Sequence, residues 1–348
     1  MSLNLKPAGS RSYDLLTMGE ILLRLSPPGY ERISACSSFN KYLGGAELNV
    51  ASGAAQLGVK TGIISKIPDN AMGAWVRNFV RQSGVDDTWL TSDRENDARL
   101  GIYYYEQASH PRKPQVVYDR KNTSVNKITP SDFDESLFSS ARCFHTSGIT
   151  LALGRQCRET AIELMKRFKE NGTLISFDVN FRGNLWSGAE AKACIEEILP
   201  LVDIFFCSDS TARLTFLKEG DTRDIMKSFT RDYPISVVAS TQRTVHSPTI
   251  HSFGSLLYDA SDDTFYEEEP YDRIEVVDRI GSGDSYIAGL LYGILSEPDN
   301  YQRALEYGNA ISAVKNTIPG DLPCTDADEI ASVIAAHKSK GPQLEMNR

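Results

Sequence analysis

The sequence predicts an α/β fold in which a three-layer α/β/α core with a mainly parallel central sheet carries a small β-sheet lid. Three observations indicate this fold. Short apolar or β-branched runs alternate with amphipathic helical stretches over most of the 348 residues, two segments rich in strand-forming residues break the alternation, and the pattern after residue 280 is helical throughout. Alternation of strands and helices in one chain favours a parallel sheet with helices on both faces.

The predicted core strands are short and apolar, and several are continuous enough to be buried on both faces. They are the runs 13–23, 61–67, 141–149, 172–180, 202–208 and 235–241. The clearest helix lies between the third and fourth of these runs, where apolar residues from Ala161 to Phe168 recur at helical spacing. It is expected to end at Asn171 and Gly172, because glycine commonly terminates helices.

Two segments, 22–43 and 99–120, are rich in tyrosine and other strand formers and contain prolines, and no helix separates them from the neighbouring turns. We expect them to form hairpins of a small separate sheet. Ligands of open α/β folds bind at the carboxyl ends of the core strands, and a projecting sheet there commonly serves as a lid. The predicted domain spans 13–338, with 1–12 and 339–348 as flexible termini.

Composition and charge exclude several classes of function. Hydrophobic residues make up 41% of the chain and charged residues 24%, which is typical of a globular protein. A net charge of −9 opposes binding to nucleic acids or acidic membranes, so we expect neither as a partner. Because the sequence shows neither a secretion signal nor ~18 consecutive apolar residues, it predicts a cytoplasmic protein.

The cysteines and histidines do not predict a metal centre. The six cysteines have no CxxC spacing, which favours free thiols over disulfides or a zinc site. His246 and His251 are five residues apart in a segment interpreted as a loop, which disfavours a metal pair.

The motif DRIGSGDSY, residues 278–286, precedes a predicted helix at 285–295. Its glycines allow the backbone to approach an anion, and the amides at the start of the helix point toward that anion. Asp284 would lie on the first helical turn, where it could orient a substrate hydroxyl, although the helix terminus should depress its pKa. An ordinary glycine-rich turn explains this motif equally well on its own.

A second glycine motif, YLGGAELNVASGAAQLG, spans residues 42–58. Gly44 and Gly45 precede Asn49 and a helix of small residues, an arrangement that would bring backbone amides and one carboxamide to the hydroxyls of a sugar. A pair of glycines that lets helices pack closely is the alternative. The presence of both motifs in one chain favours the chemical interpretation of each.

On these two motifs the chain resembles the ribokinase-like carbohydrate kinases, or phosphofructokinase B group, over about residues 13–338. GGAELNVASGAAQLG matches the first signature of that family and DRIGSGDSYIAGLL the second. The resemblance implies a ribokinase-like fold, a sugar as acceptor, ATP as phosphoryl donor, and Mg²⁺. It also implies an anion hole formed by Gly281, Ser282 and Gly283, with Asp284 as the catalytic base.

Within that family the chain is most similar to 2-keto-3-deoxygluconate kinases, through its lid, the strand end FDVNFR and a late Gly-Asp pair. The implied substrate contacts are Gly44, Gly45, Asn49, Tyr103, Tyr118, Arg120, Arg182 and Asp321. The implied nucleotide contacts are Arg243, Ser208 and Asn316, together with Gly281 and Gly283. Arginines suit a sugar acid because a guanidinium group binds a carboxylate in a bidentate fork.

Some positions depart from the family pattern. The sequence SDST, residues 208–211, replaces an Asn-x-x-Glu motif that organises magnesium, so the metal ligand stays unassigned and Asp209 is an indirect candidate. Arg279 replaces a small residue, Pro68 replaces a glycine, and the glycine-rich nucleotide loop is absent. These changes put specificity and the magnesium route in question, but not the fold.

Two other functions stay open at this point. A kinase for a neutral hexose such as fructose is one, and Arg120 with Arg182 argues against it. A catalytically silent sugar-acid sensor is the other, and the intact GSGD argues against it because a binding protein needs no base. Since the lid strands would expose an apolar face and open edges in a monomer, we also expect a homodimer joined through the lids.

Overall fold

The computed structural model describes residues 3–339; residues 1, 2 and 340–348 lie outside this range. Its strands are β1 Tyr13–Met18, β2 Leu22–Ser26, β3 Asn40–Gly44, β4 Thr61–Pro68, β5 Leu90–Asp93, β6 Gly101–Glu106, β7 Gln115–Asp119, β8 Ala141–Ser147, β9 Leu174–Asp178, β10 Ile204–Phe206, β11 Val237–Ser247, β12 Ile250–Asp259, β13 Thr264–Glu267 and β14 Tyr271–Glu275. Its α-helices are α1 Ala46–Gln56, α2 Ala71–Gln82, α3 Gly148–Ala152, α4 Arg155–Glu170, α5 Gly188–Ile198, α6 Asp209–Phe216, α7 Thr222–Asp232, α8 Ser282–Ser296, α9 Tyr301–Asn316 and α10 Ala327–Ser339.

The central sheet has the strand order β13-β12-β11-β10-β9-β8-β1-β4-β5, and β14 also pairs with β12. The strands from β11 to β5 in this order run parallel, whereas β12, β13 and β14 extend one edge with antiparallel pairing. The parallel strands are short and buried, as their continuous apolar sequences require. Their carboxyl ends therefore meet along one edge of the sheet.

Helices cover both faces of this sheet. On one face, α4, α5 and α7 contribute Leu164, Ile195 and Phe229 to a large apolar cluster with the strands. On the other face, α1, α8 and α9 pack against the sheet through a second cluster that includes Leu290 and Leu305. The predicted three-layer core with a mainly parallel sheet is confirmed.

A separate sheet of four strands, which we call the lid, has the order β3-β2-β6-β7. It consists of two antiparallel hairpins, β2–β3 and β6–β7, joined by parallel pairing of β2 with β6. The small sheet predicted from the two tyrosine-rich segments is therefore present.

Some local predictions were wrong. The run 13–23 forms two strands in different sheets, because the chain leaves the core after Met18 and enters the lid at Leu22. His246 and His251 lie in β11 and β12, not in a loop. The strands from β12 to β14 were not predicted, since their many serine, aspartate and glutamate residues hide the apolar pattern of a buried strand.

The boundaries of two further segments also differ from the prediction. Helix α8 begins at Ser282, three residues earlier than predicted, because Gly281 itself caps the helix. Residues 3–12 were predicted to be flexible, but Leu3 and Leu5 pack against the core, and Arg142 bonds to a backbone carbonyl nearby. All six cysteines are free, as expected. Within residues 3–339, no helix combines the length and apolar character needed to cross a membrane.

Helix α8, which begins within the motif DRIGSGDSY, is fixed by close packing on α9. A Cβ atom added to Gly289 would lie 2.6 Å from the carbonyl oxygen of Tyr307 and 2.7 Å from Ile311. We expect Gly289→Ala to reduce the free energy of unfolding by ~1–3 kcal/mol, because overpacking forces these helices apart. Denaturant unfolding measures this loss. The control Gly188→Ala, where an added Cβ meets ordinary contact distances, should be near neutral, and equal stability of both variants would contradict the prediction.

Candidate active site

A cavity of about 750 Å³ lies between the carboxyl edge of the central sheet, the lid and the start of α8. This volume is typical of small-molecule sites. Every residue that the sequence predicted for the site lines the cavity, apart from Gly44, Asn316 and Asp209. Ligand binding at the carboxyl ends of parallel strands is the general rule for open α/β sheets.

The turn 278–284 forms one wall of the cavity. Gly281 has a φ of 82°, and an added Cβ there would collide with the carbonyl oxygen of Asp321, so the position requires glycine. An added Cβ on Gly283 meets open space, which leaves the first turn of α8 accessible from the cavity. The first amides of a helix lack intrahelical acceptors, so this turn presents donors to an anion.

Asp284 stands on that first turn, half-buried, where Asn49 donates a 2.7 Å hydrogen bond to its carboxylate. Burial raises the pKa of Asp284 to about 6, and the Asn49 bond and Arg182 offset this only in part. The expectation of a depressed pKa is therefore wrong, because loss of solvent outweighs the helix terminus. A carboxylate with this pKa is a better base at neutral pH than an ordinary aspartate.

Two further carboxyl groups line the cavity beside Asp284, and the sequence analysis assigned them no role. Burial and the charge of Asp284 raise the pKa of Asp178 to about 7. Burial also raises the pKa of Glu47, whose Oε1 accepts hydrogen bonds from Ser147 at 2.6 Å and Thr150 at 2.7 Å. Both acids lie within the quoted motifs FDVNFR and GGAELNV, so their positions were visible but their proximity was not.

Gly44 and Gly45, in the motif at 42–58, both have packing roles, and only Gly45 lines the cavity. Gly45 caps α1 with a φ of 135°, and an added Cβ would collide with the carbonyl oxygen of Glu20. Gly44 is not at the cavity surface, because the carboxylate of Asp321 lies where its side chain would be. Gly44, at the end of β3, therefore packs against Asp321 outside the cavity lining, whereas Gly45 and Asn49 line the cavity.

The lid reaches the cavity through a buried group of charges. The hydroxyl of Tyr103 donates a hydrogen bond to Asp321, and Arg24 bonds to Asp321 at 3.0 Å and to Asp278 at 2.5 Å. Burial raises the pKa of Asp321. Asp321 lines the cavity as predicted, but its oxygens are already engaged by protein donors. Arg24 and Asp278 were not predicted, since their partners lie 254 residues or more apart in sequence.

The two arginines expected to bind a sugar acid have different surroundings. Arg120 forms a buried ion pair with Glu20 at 2.5 Å, and its guanidinium lies 5.4 Å from the ring of Tyr118. Arg182 is exposed in the cavity, and no carboxylate of residues 3–339 lies within ion-pair distance of it. The contact of Arg120 with a substrate carboxylate stays a prediction: Arg120 lines the cavity, but Glu20 already provides its counter-charge.

Arg243 of β11 and Arg279 form a second positive group in the cavity lining, in addition to Arg182. Burial and the neighbouring charge of Arg279 lower the pKa of Arg243. The Nε group of Arg279 is buried and lacks a hydrogen-bond acceptor within the described part of the chain. Two adjacent guanidinium groups next to a helix N-terminus fit the phosphates of a nucleotide. Arg279, which the sequence analysis noted only as a departure from the family, belongs to this region.

Three residues predicted for nucleotide or metal binding have other contacts. Ser208 lines the cavity and caps α6. Asp209 points elsewhere and pairs with Arg213 at 2.8 Å, so its carboxylate is not at the cavity. Asn316 is buried, and its carbonyl accepts hydrogen bonds from the backbone amides of residues 277 and 278, which places it behind the anion turn. Residues 3–339 contain no group of three or more acidic, histidine or cysteine side chains that could hold a metal ion.

The chain is similar to known carbohydrate kinases. The family model of pfkB family carbohydrate kinases matches residues 13–327. The chain is 34% identical to a 2-dehydro-3-deoxygalactonokinase of Haloferax volcanii, across 92% of this chain and 96% of that protein. It is 29% identical to a 2-dehydro-3-deoxygluconokinase of Bacillus subtilis, across 94% of this chain and 98% of that protein.

Solved structures give the same result. A crystal structure of 2-dehydro-3-deoxygluconokinase from Thermotoga maritima superposes with a TM-score of 0.88 at 31% identity, covering 93% of this chain and 99% of that one. A PfkB family carbohydrate kinase from Listeria grayi superposes with a TM-score of 0.87 at 33% identity, covering 92% of this chain and 99% of that one. The predicted ribokinase-like fold and the kinase class are confirmed, which argues against the sensor. The chain belongs to the pfkB family of carbohydrate kinases.

Proposed function

We propose that this kinase transfers the γ-phosphoryl group of ATP to the terminal hydroxyl of 2-keto-3-deoxygluconate, also named 2-dehydro-3-deoxygluconate. The observation that carries the proposal is the unpaired Arg182 in the same cavity as Asp284. A sugar acid supplies both the carboxylate that Arg182 would bind and the hydroxyl that Asp284 would deprotonate. The names of the relatives from Bacillus subtilis and Thermotoga maritima support this substrate class.

The chemistry follows from the positions of the groups around the first turn of α8. Asp284 accepts the proton of the sugar hydroxyl, whose oxygen then forms a bond to the γ-phosphorus while the bond to the β-phosphate bridging oxygen breaks. The amides of the turn 281–283 and the cations of Arg243 and Arg279 stabilise the charge on the transferred group and on the departing ADP. Closure of the lid would exclude water, which would otherwise compete with the sugar as acceptor.

Magnesium would enter with the nucleotide. Because residues 3–339 provide no cluster of three or more metal ligands, the ion would be held mainly by the phosphates and by water, which is the usual arrangement for Mg²⁺. Asp178 is the cavity carboxylate suited to bind its water shell, and a cation there would relieve the repulsion between Asp178 and Asp284. Magnesium supplies charge neutralisation of the phosphates when it is bound.

Recognition of the acid group rests on the difference between the two arginines. Arg182 can form a bidentate pair with a carboxylate, while Glu20 fixes Arg120 so that it presents Tyr118 to the cavity. A neutral hexose such as fructose would offer Arg182 no substrate carboxylate to bind. Because Arg120 is paired with Glu20, it no longer argues against a neutral-hexose kinase. The choice between a sugar acid and a neutral hexose as substrate therefore depends on Arg182.

The first prediction concerns the base. We expect Asp284→Asn to reduce kcat by at least ~10²-fold with little change in sugar affinity, because removal of a general base commonly costs that much. In the wild type, kcat/KM should fall as the pH drops below about 6, where Asp284 becomes protonated and can no longer accept a proton. Initial rates across pH 4.5–8, chosen as roughly the range around that pKa, measure both effects.

Asp178→Asn is the matched variant for this experiment. Burial and the charge of Asp284 raise the pKa of Asp178 to about 7, so Asp178 is largely neutral where Asp284 titrates near 6, and its replacement should leave the acid limb of the profile in place. A kcat of Asp284→Asn close to that of the wild type would exclude Asp284 as the base.

The second prediction concerns the acid group. Arg182→Gln should raise the KM for 2-keto-3-deoxygluconate by at least ~30-fold, since loss of one partner of a charged pair costs ~2–5 kcal/mol. The KM for ATP should change little. A coupled ADP-release assay over a panel of keto sugar acids, their neutral analogues and fructose measures these effects.

The neutral analogues provide the control for Arg182. They should be poor substrates of the wild type, and the activity toward them should fall comparatively little further in Arg182→Gln. Equal losses for acids and neutral sugars would show that Arg182 does not bind the acid group, and a wild-type preference for fructose would establish the neutral-hexose alternative.

The third prediction concerns assembly through the lid. Strand β7 is an edge of the lid sheet, and Val116, Val117 and Tyr118 on it are 40%, 52% and 39% exposed. We propose that a second copy of the chain covers this edge in a homodimer, since pairing removes an exposed apolar strand. Light scattering should give the mass of a dimer, and Val117→Glu should give a monomer. The control Leu214→Glu, at an exposed site on α6, should remain dimeric; a monomeric wild type would refute the proposal.

A further inference from the structure

Lys315, in the last turn of α9, is a fully buried lysine. Its ammonium group donates 3.0 Å hydrogen bonds to the carbonyl oxygens of Asp278 and Ile318. Burial of an ammonium group is strongly unfavourable unless oxygen atoms replace its water. The site is therefore built for a cation, and the proposed chemistry described above gives this cation no role.

The two carbonyl groups belong to the two segments on which the anion site depends. Asp278 begins the turn 278–284, and Ile318 begins the segment 318–321. The same segments are also joined where the amide of Gly320 donates a 3.1 Å hydrogen bond to the side chain of Asp278. The ammonium group of Lys315 thus connects both segments at the point where the turn begins.

The charges around Lys315 are balanced. Arg24 bonds to the carboxylates of Asp278 and Asp321, and both carboxylates also act on the charge of Lys315. Two cations face two anions in this buried group. Removal of the ammonium charge would leave the group with a net negative charge, immediately behind a turn that has to receive phosphate.

We propose that the ammonium group of Lys315 takes the place of a bound monovalent cation. It holds the turn 278–284 in the geometry that accepts the transferred phosphoryl group. It is a positioning residue, because it contacts the turn and does not line the cavity. The site would otherwise suit a bound ion of the size of ammonium or potassium. This inference rests on phosphoryl transfer by the enzyme and does not depend on which sugar is the acceptor.

A salt series on the wild type gives the first test. Turnover is measured at constant ionic strength with sodium, potassium, ammonium or tetramethylammonium as the chloride salt. Because Lys315 already fills the site, the four rates should agree within about twofold. Activation of the wild type by potassium or ammonium of fivefold or more would overturn the proposal.

Two substitutions give the second test. Lys315→Ala removes the ammonium group and leaves a space lined by carbonyl oxygens, whereas Lys315→Met fills the space with an apolar chain. Both should lower kcat by about 10²-fold or more, because the groups that stabilise the transferred charge lose their alignment. Ammonium or methylammonium should restore Lys315→Ala by at least tenfold, tetramethylammonium should not, and Lys315→Met should not respond. If Lys315→Ala lost activity only because packing was lost, ammonium would not restore that activity.

Lys66→Ala is the matched control, since Lys66 also donates to a backbone carbonyl and pairs with Asp132, but lies outside the cavity lining. It should show no response to ammonium. A folded Lys315→Ala that keeps wild-type turnover, or that no small cation restores, would refute the proposal; if neither variant folds, the wild-type salt series decides.

Calorimetric titration with ATP separates this inference from the sugar assignment. Lys315→Ala should bind ATP at least tenfold more weakly than the wild type, and ammonium should restore the affinity. This result is expected whichever acceptor the substrate panel identifies. Unchanged ATP binding together with unchanged turnover would count against Lys315 alone.

Discussion

The seating of the turn 278–284 on the segment 318–321 is the contact on which the rest of the site depends. Gly281 lies against the carbonyl oxygen of Asp321 so closely that any side chain would be excluded. The amide of Gly320 bonds to Asp278 at the start of the same turn. These contacts fix the direction of α8, and α8 in turn carries Asp284 on its first turn. The motif needs its glycines for this packing as much as for access to an anion, so the two interpretations of the sequence describe the same geometry.

Charge balance separates the structural carboxylates from the reactive ones. Asp278 and Asp321 are each paired with Arg24, so a cation of the protein already engages both carboxylates. Asp178 and Asp284 share a cavity wall without an ion pair of this kind, and burial raises the pKa of both. The second pair can therefore gain or lose a proton near neutral pH. The same cavity that desolvates Asp284 also makes it basic enough to accept a hydroxyl proton.

The sequence predicted the parallel core and the lid because both produce local patterns: buried strands are continuous apolar runs, and each lid hairpin is a segment rich in strand formers with no helix between its two strands. It also placed Asp284, Asn49 and Arg182 at one site through their motifs. It could not predict that Glu20 neutralises Arg120, since these residues are 100 positions apart and nothing local marks the pair. The sign of the pKa shift of Asp284 was wrong for a related reason. The helix terminus is a local feature, whereas burial depends on every element around the cavity.

The lid is part of the phosphate site and not only a cover for the sugar. Arg24 on β2 and Tyr103 on β6 both bond to Asp321, whose backbone supports Gly281. A displacement of the lid strands would therefore pull on the residue beneath the anion turn. Because the side chain of Asp321 bonds to the lid and its backbone lies against Gly281, a single residue connects the lid to the anion turn.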